Sequence, residues 1–250
     1  MRRYPAILFD LFDTLVRFDR ERLPVVQIGG REVRSTVGRL HAVLSASVPH
    51  VTIEALHAAL GESWREAERL RAIDHREVTA RERFSFFFPA LGLEAAALPR
   101  GLDEMLIEAH RHELAKAASV PPHHRPLLER LARNHCLAVV SNFDYSPTAL
   151  GILEAAGVRD LFTAIVVSDE VGWRKPRPDI FHEALRRAGV EPHATLFVGD
   201  RIDIDVAGAH AVGMDAAWIN PGREALPAGV APPIYEIRDL AELDAIVARA

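Results

Sequence analysis

The chain has 250 residues and a mass of 27.7 kDa, with 49% apolar and 26% charged residues. That composition is globular and excludes disordered, collagen-like and low-complexity classes. A net charge of −5 and a pI near 6.2 leave no electrostatic footprint for nucleic acid and say little about small ligands.

In chain order, residues 6–9 form a short apolar run that ends at Asp10 and reads as a buried strand. Met1-Arg2-Arg3 would suit a secretion signal, but Asp10 and Asp13 cut the apolar stretch short. No run approaches the ~18 apolar residues of a membrane span. A cytoplasmic location is expected.

Residues 17–120 then read as a mostly helical insert. Val25 to Ile28 and Arg31 to Arg34 flank Gly29-Gly30 and predict a β-hairpin. Helical patterns follow at about 37–47, 52–72, 75–90 and 101–117, with Leu56, Leu60 and Trp64 expected on one face of the second. The aromatic run Phe84-Ser85-Phe86-Phe87-Phe88 is expected to form core of the insert or to turn one ring toward a ligand.

Beyond the insert, apolar runs recur at 136–140, 163–167, 195–198 and 214–219, and an edge strand is predicted from Ile234 to Ile237. Helical patterns at 125–134, 146–156, 178–188 and 205–212 separate them, and a last helix is expected near 239–248. Gly157, Gly189 and Gly213 stand where helix stops belong. Strand–helix alternation predicts an α/β fold: a doubly wound, Rossmann-like parallel sheet of residues 1–16 and 121–250, with 17–120 inserted after the first strand. The single cysteine, Cys136, excludes an intrachain disulfide and is expected in the core. The twelve histidines show no metal-ligand spacing. His123-His124, after Val120-Pro121-Pro122, reads as a hinge or helix start, and no zinc site is expected.

A doubly wound sheet binds ligands at the carboxyl ends of its strands. Those ends deliver Asp10-Leu11-Phe12-Asp13-Thr14, Ser141-Asn142 and Gly199-Asp200 followed by Asp203 and Asp205; the loop after the third strand carries Lys175. Lys116 is the one other lysine. Clustered carboxylates repel unless a cation lies between them, and hard oxygen ligands suit Mg²⁺. A lysine and a hydroxyl suit a phosphoryl group. Each residue also has a plainer reading: Asp10, Asp200 or Ser141-Asn142 as helix caps, Lys175 as a solvated cation, Thr14 as a strand-end residue. Asp203 is read as a helix-start carboxylate rather than a metal ligand.

The set Asp10 to Leu15, Ser141-Asn142, Lys175-Pro176 and Gly199-Asp200 with Asp205 resembles, in order and spacing, the four motifs of the haloacid dehalogenase superfamily. The insert resembles the helical cap many members carry. The resemblance implies that Asp10 is a nucleophile forming an aspartyl-phosphate, that Thr14 orients it, and that Ser141, with Asn142 and Lys175, binds the phosphoryl group. It implies Mg²⁺ held by Asp10, the backbone carbonyl of Phe12 and Asp200, with Asp205 supporting from behind. The implied activity is Mg²⁺-dependent hydrolysis of a small phosphorylated metabolite, with specificity set in the cap.

One position departs from that pattern. Phosphatases of this superfamily carry an acid–base Asp two residues after the nucleophile, and here Phe12 stands there. Asp13 is one residue further on, where an extended backbone would turn it to another face. Alkyl phosphates are therefore expected to be poor substrates. Phe12 also resembles the aromatic residue of metal-independent 2-haloacid dehalogenases, but those lack the acidic ligand that Asp200 provides. Phosphonatases use a cap lysine, and no lysine occurs between residues 17 and 115. A non-catalytic binding protein on the same fold is the third reading, opposed by Asp10, Lys175 and Asp200.

Overall fold

The computed structural model describes residues 4–247, so the Met1-Arg2-Arg3 reading and the end of the last predicted helix lie outside the described residues. The chain forms two compact units, Met1–Arg17 with Ser119–Ala250, and Phe18–Ala118.

The first unit is built on a six-stranded parallel sheet. Its strands are β1 (Ala6–Phe9), β2 (Cys136–Ser141), β3 (Ala164–Val167), β4 (Thr195–Gly199), β5 (Asp215–Ile219) and β6 (Tyr235–Ile237), in the spatial order β6-β5-β4-β1-β2-β3. Ala6 is in register with Cys136 on one side and Thr195 on the other. All four β1 side chains are fully buried, as a strand covered on both faces must be, which is why it reads as an unbroken apolar run. Each such Ile, Leu or Phe contributes about 1.5–3 kcal/mol through burial.

One sheet face packs Leu8, Val140, Val166 and Phe197 against Ile180, Phe181, Ala184 and Leu185 of the Pro178–Ala188 helix. Those four helix positions form the expected apolar stripe. Pro178 suits the first turn, and Gly189, at φ 67°, ends the helix in a left-handed conformation. Cys136 lies at the margin of this core, half-buried.

In the second unit, Val25–Ile28 and Arg31–Arg34 pair antiparallel. Gly29 and Gly30 both take positive φ, 55° and 76°, as a two-residue hairpin turn requires. The helices are Val37–Leu44, Ile53–Asp74, Ala80–Ala90 and Leu102–Ala117. Phe84, Phe87 and Phe88 are buried and stack on one another, with centroids 5.2 and 5.6 Å apart; Phe86 is half-buried.

Two expectations for this unit are corrected. The Ile53–Asp74 helix buries Leu56, Ala59, Ser63, Ala67 and Arg71, while Leu60 is half-buried and Trp64 is 49% exposed. Successive steps of four residues drift about 40° each around a helix of 3.6 residues per turn, so starting from the buried Leu56, Leu60 and then Trp64 leave the buried stripe. The third helix begins at Ala80, not near residue 75. His75 takes a left-handed conformation at φ 60°, and Thr79 caps the helix by accepting the Glu82 N–H at 3.2 Å. No helix among the described residues is long and apolar enough to cross a membrane.

Candidate active site

The strand order reverses between β1 and β4, which opens the crevice where such sheets bind ligands. Asp10 continues β1 by one residue, its N–H donating to Val198 O at 2.9 Å. Asp200 follows β4 directly, and its carbonyl accepts the Trp218 Nε1–H at 2.8 Å. Asp205 returns to the same place by a wide turn: Ile202–Val206 forms one turn of π-helix before the helix Ala207–Ala211, where a helix over 205–212 is expected from sequence. Such π-turns are frequent at functional sites. Gly199 makes room for it, since a Cβ there would meet the Asp205 carboxylate at 2.4 Å. Asp205 Oδ2 also accepts the Arg201 N–H at 3.0 Å. Asp203 points away from the cluster into an exposed ion pair with Arg201.

Lys175 joins the carboxylates. Its ammonium, buried to 2% exposure, lies 2.5 Å from Asp10 Oδ1 and 2.8 Å from Asp205 Oδ1. Asn142 fixes the lysine's backbone: Nδ2 donates to Lys175 O at 2.9 Å and Oδ1 accepts the Lys175 N–H at 2.7 Å. Ser141 ends β2 and is 1% exposed. Thr14 is buried, and its Oγ1 has no hydrogen-bond partner among the described residues. Three residues given no site role in the sequence reading tie the loops together. Ser168 Oγ accepts the Phe143 N–H and donates to Phe143 O, and Asp169 Oδ2 accepts the Ser146 N–H at 2.6 Å. Trp218 holds the Asp200 carbonyl. Their residue types gave no signal, because their partners lie 18 to 25 positions away.

Phe12 and Phe143 form an aromatic pair with centroids 4.9 Å apart. Residues 10–16 are not extended, which corrects the alternation argument for Asp13. The segment is a tight turn, with Leu15 N–H and Val16 N–H donating to Leu11 O and Asp13 N–H to Val16 O. Asp13 sits in it at φ 60°, exposed, and its charge pushes the Asp200 pKa upward.

Burial pushes the Asp10 carboxyl up, Lys175 pulls it back, and Asp205 and Asp200 push it up again, to about 7. Burial, then the charges of Asp205 and Asp13, raise Asp200 to about 6. Burial draws the Lys175 ammonium down, but Asp10 and Asp205 outweigh it, so its pKa rises and it stays charged. Carboxylate oxygens of Asp10, Asp200 and Asp205 lie within 4.8 Å of one another. This all-oxygen, charge-stressed set fits a hard divalent cation.

A pH dependence follows for the metal-free protein. An unfolded Asp200 titrates near 3.8 and the folded one near 6, so between those values the folded state binds more protons. Stability therefore falls as pH rises through that window. Asp200→Asn escapes this cost, and its melting temperature minus that of wild type should increase from pH 4 to pH 6.5 in EDTA, then level off. A divalent cation bound by these carboxylates would reverse the difference at pH 7.5, by stabilising wild type more. Thermal melts check this; a difference independent of pH would contradict the electrostatics.

Comparison with known proteins gives a family and two chemistries. The haloacid dehalogenase-like hydrolase family model matches residues 4–213. A 78-residue stretch is 50% identical to haloacid dehalogenase-like hydrolase domain-containing protein 3 of Bos taurus, covering 31% of this chain and only 30% of that protein's length. Pyrimidine 5′-nucleotidase YjjG of Escherichia coli K12 is 30% identical over 168 residues, 67% of this chain and 70% of that one. The crystal structure of a 2-haloacid dehalogenase from Pseudomonas syringae superposes with a TM-score of 0.71 at 27% identity, covering 100% of this chain and 99% of that one.

Proposed function

Because the chain belongs to the haloacid dehalogenase-like hydrolases, we propose that it is a Mg²⁺-dependent phosphatase acting on a small phosphoric monoester through an aspartyl-phosphate. One observation carries the reading. Three carboxylates, those of Asp10, Asp200 and Asp205, converge, and one ammonium, that of Lys175, pairs with two of them, Asp10 and Asp205. Attack on a neutral carbon–halogen bond has no use for the two negative charges left over; a divalent cation and an anionic phosphoryl group do. The nucleotidase relative supports a phosphoric monoester as the substrate class.

In this reading Asp10, the Phe12 carbonyl and Asp200 hold Mg²⁺, and Asp205 steadies both the metal side and Lys175. A divalent metal held there would neutralise charge on the phosphoryl oxygens. An Asp10 oxygen forms the new bond to phosphorus, the ester P–O bond breaks, and the alkoxide or aryloxide leaves with its electron pair. Water then cleaves the acyl phosphate and restores Asp10. Lys175 holds Asp10 ionised and in line. Ser141 donates to a phosphoryl oxygen, and Thr14 Oγ1, without another partner among the described residues, orients the nucleophile. Asn142 is read differently from the sequence expectation. With both ends of its amide on the Lys175 backbone, it positions the lysine rather than binding phosphate.

A second reading, metal-independent dehalogenation, is favoured by Phe12 and by the Pseudomonas structure. The test is p-nitrophenyl phosphate hydrolysis in Mg²⁺ and in EDTA, beside halide release from 2-chloropropionate. Mg²⁺-dependent phosphate release that EDTA abolishes is expected. Halide release that ignores EDTA, with no phosphate release, would replace this function by the second.

A further inference from the structure

The sheet unit contains a second convergence of ligating groups, on residues that the phosphatase reading does not use. His123, His124 and Asp239 bring ring nitrogens and a carboxylate oxygen within 4.8 Å of one another. His123 Nε2 is 3.3 Å from Asp239 Oδ2, and the two imidazoles sit 4.6 Å apart at 79°.

Two of the three members are held in a ligating form by groups outside the cluster. His124 is 5% exposed, and its Nδ1–H donates to Leu15 O at 3.0 Å. A backbone carbonyl on one ring nitrogen is the usual support of a metal-binding histidine, since it fixes the tautomer and leaves Nε2 with its lone pair. Burial also lowers the His124 pKa, keeping the ring neutral. Asp239 spends Oδ1 on the Ala241 N–H at 2.9 Å, capping the turn Leu240–Glu242. That contact anchors the side chain and leaves Oδ2 toward His123. The Ala241 N–H, chiefly, holds the carboxyl below its usual value, so it is ionised.

We propose that His123, His124 and Asp239 form a binding site for a borderline transition-metal ion of the Zn²⁺ class, separate from the Asp10, Asp200 and Asp205 cluster. Two imidazoles and one carboxylate, with an outward face for water, match a three-ligand open zinc site. The donor types sort the two sites. Mg²⁺ prefers oxygen and keeps its waters, so it belongs to the carboxylates, whereas imidazole nitrogen selects Zn²⁺, Co²⁺, Ni²⁺ or Cu²⁺. His123 is the exposed histidine of the pair, so it is the member whose side chain would adjust on metal binding. Sequence could not show this site, as Asp239 lies more than a hundred residues from the histidine pair.

The test titrates the EDTA-stripped, dialysed full chain with Co²⁺ in millimolar Mg²⁺, reading visible d–d absorption, and then displaces Co²⁺ with Zn²⁺. One equivalent of nitrogen-ligated Co²⁺ is expected. His123→Ala, at an exposed position, and Asp239→Asn, which keeps a capping oxygen, should each weaken binding tenfold or more. Asp200→Asn should leave the signal intact, so loss of the phosphatase reading would not remove this one. A signal that survives His123→Ala but disappears in Asp200→Asn would overturn the proposal, as would absence of any Co²⁺ spectrum in wild type.

Discussion

Asp10→Asn is expected to lower kcat for p-nitrophenyl phosphate on the order of 10⁴-fold or more, the scale of losing a covalent nucleophile. The amide keeps the shape of the side chain, so the loss reports chemistry rather than collapse. Stability argues the same way. In the metal-free protein the Asp10 carboxylate is under electrostatic pressure, pushed to about 7 by burial and by Asp205 and Asp200 despite the lysine. Asparagine removes that pressure, and Lys175 keeps Asp205 at 2.8 Å as its counter-ion. The variant should therefore melt within a few degrees of wild type while losing turnover. Steady-state kinetics with a parallel thermal melt check both halves. Substantial turnover in a contaminant-free preparation would remove Asp10 from the nucleophile role, and with it the aspartyl-phosphate.

The elements that carry this site were legible in the sequence for a physical reason. A parallel strand buried on both faces has to be apolar throughout, so Ala6–Phe9, Cys136–Ser141 and Thr195–Gly199 stand out, and the polar residue that ends each run marks the ligand-binding edge. Gly189 and the Gly29-Gly30 pair were readable because positive φ is costly for other residues. Features that depend on distant partners were not. Asn142 has the composition of a helix cap or phosphate ligand, and its attachment to the Lys175 backbone is set 33 residues away. The turn of π-helix that carries Asp205 back to Lys175 has no periodicity of its own over five residues. Asp13 misled for a local reason: alternation holds only for extended backbone, and residues 11–16 close into hydrogen-bonded turns.

Phe12→Asp is expected to raise kcat/KM for an alkyl phosphate by about 10²-fold or more, within the range that general acid catalysis provides. For p-nitrophenyl phosphate the gain should stay below roughly tenfold, because that leaving group departs without a proton and so has little use for general acid help. The ring now at this position packs on Phe143 at 4.9 Å, so the substitution also costs about 0.5–1.5 kcal/mol of aromatic pairing, and the melting temperature should fall slightly. Phe12→Asn separates the two effects: it opens the same space and loses the same contact, but has no proton to give. A rate gain in the Asp variant alone identifies missing acid–base catalysis as the cost of Phe12. An equal gain in both variants would assign the effect to space beside the nucleophile. If neither gains, and wild type already cleaves alkyl and aryl esters at similar rates, the proton comes from elsewhere. Asp13, turned outward at φ 60° and close enough to perturb Asp200, is then the group to replace, and Asp13→Asn should lower the alkyl rate more than the aryl rate.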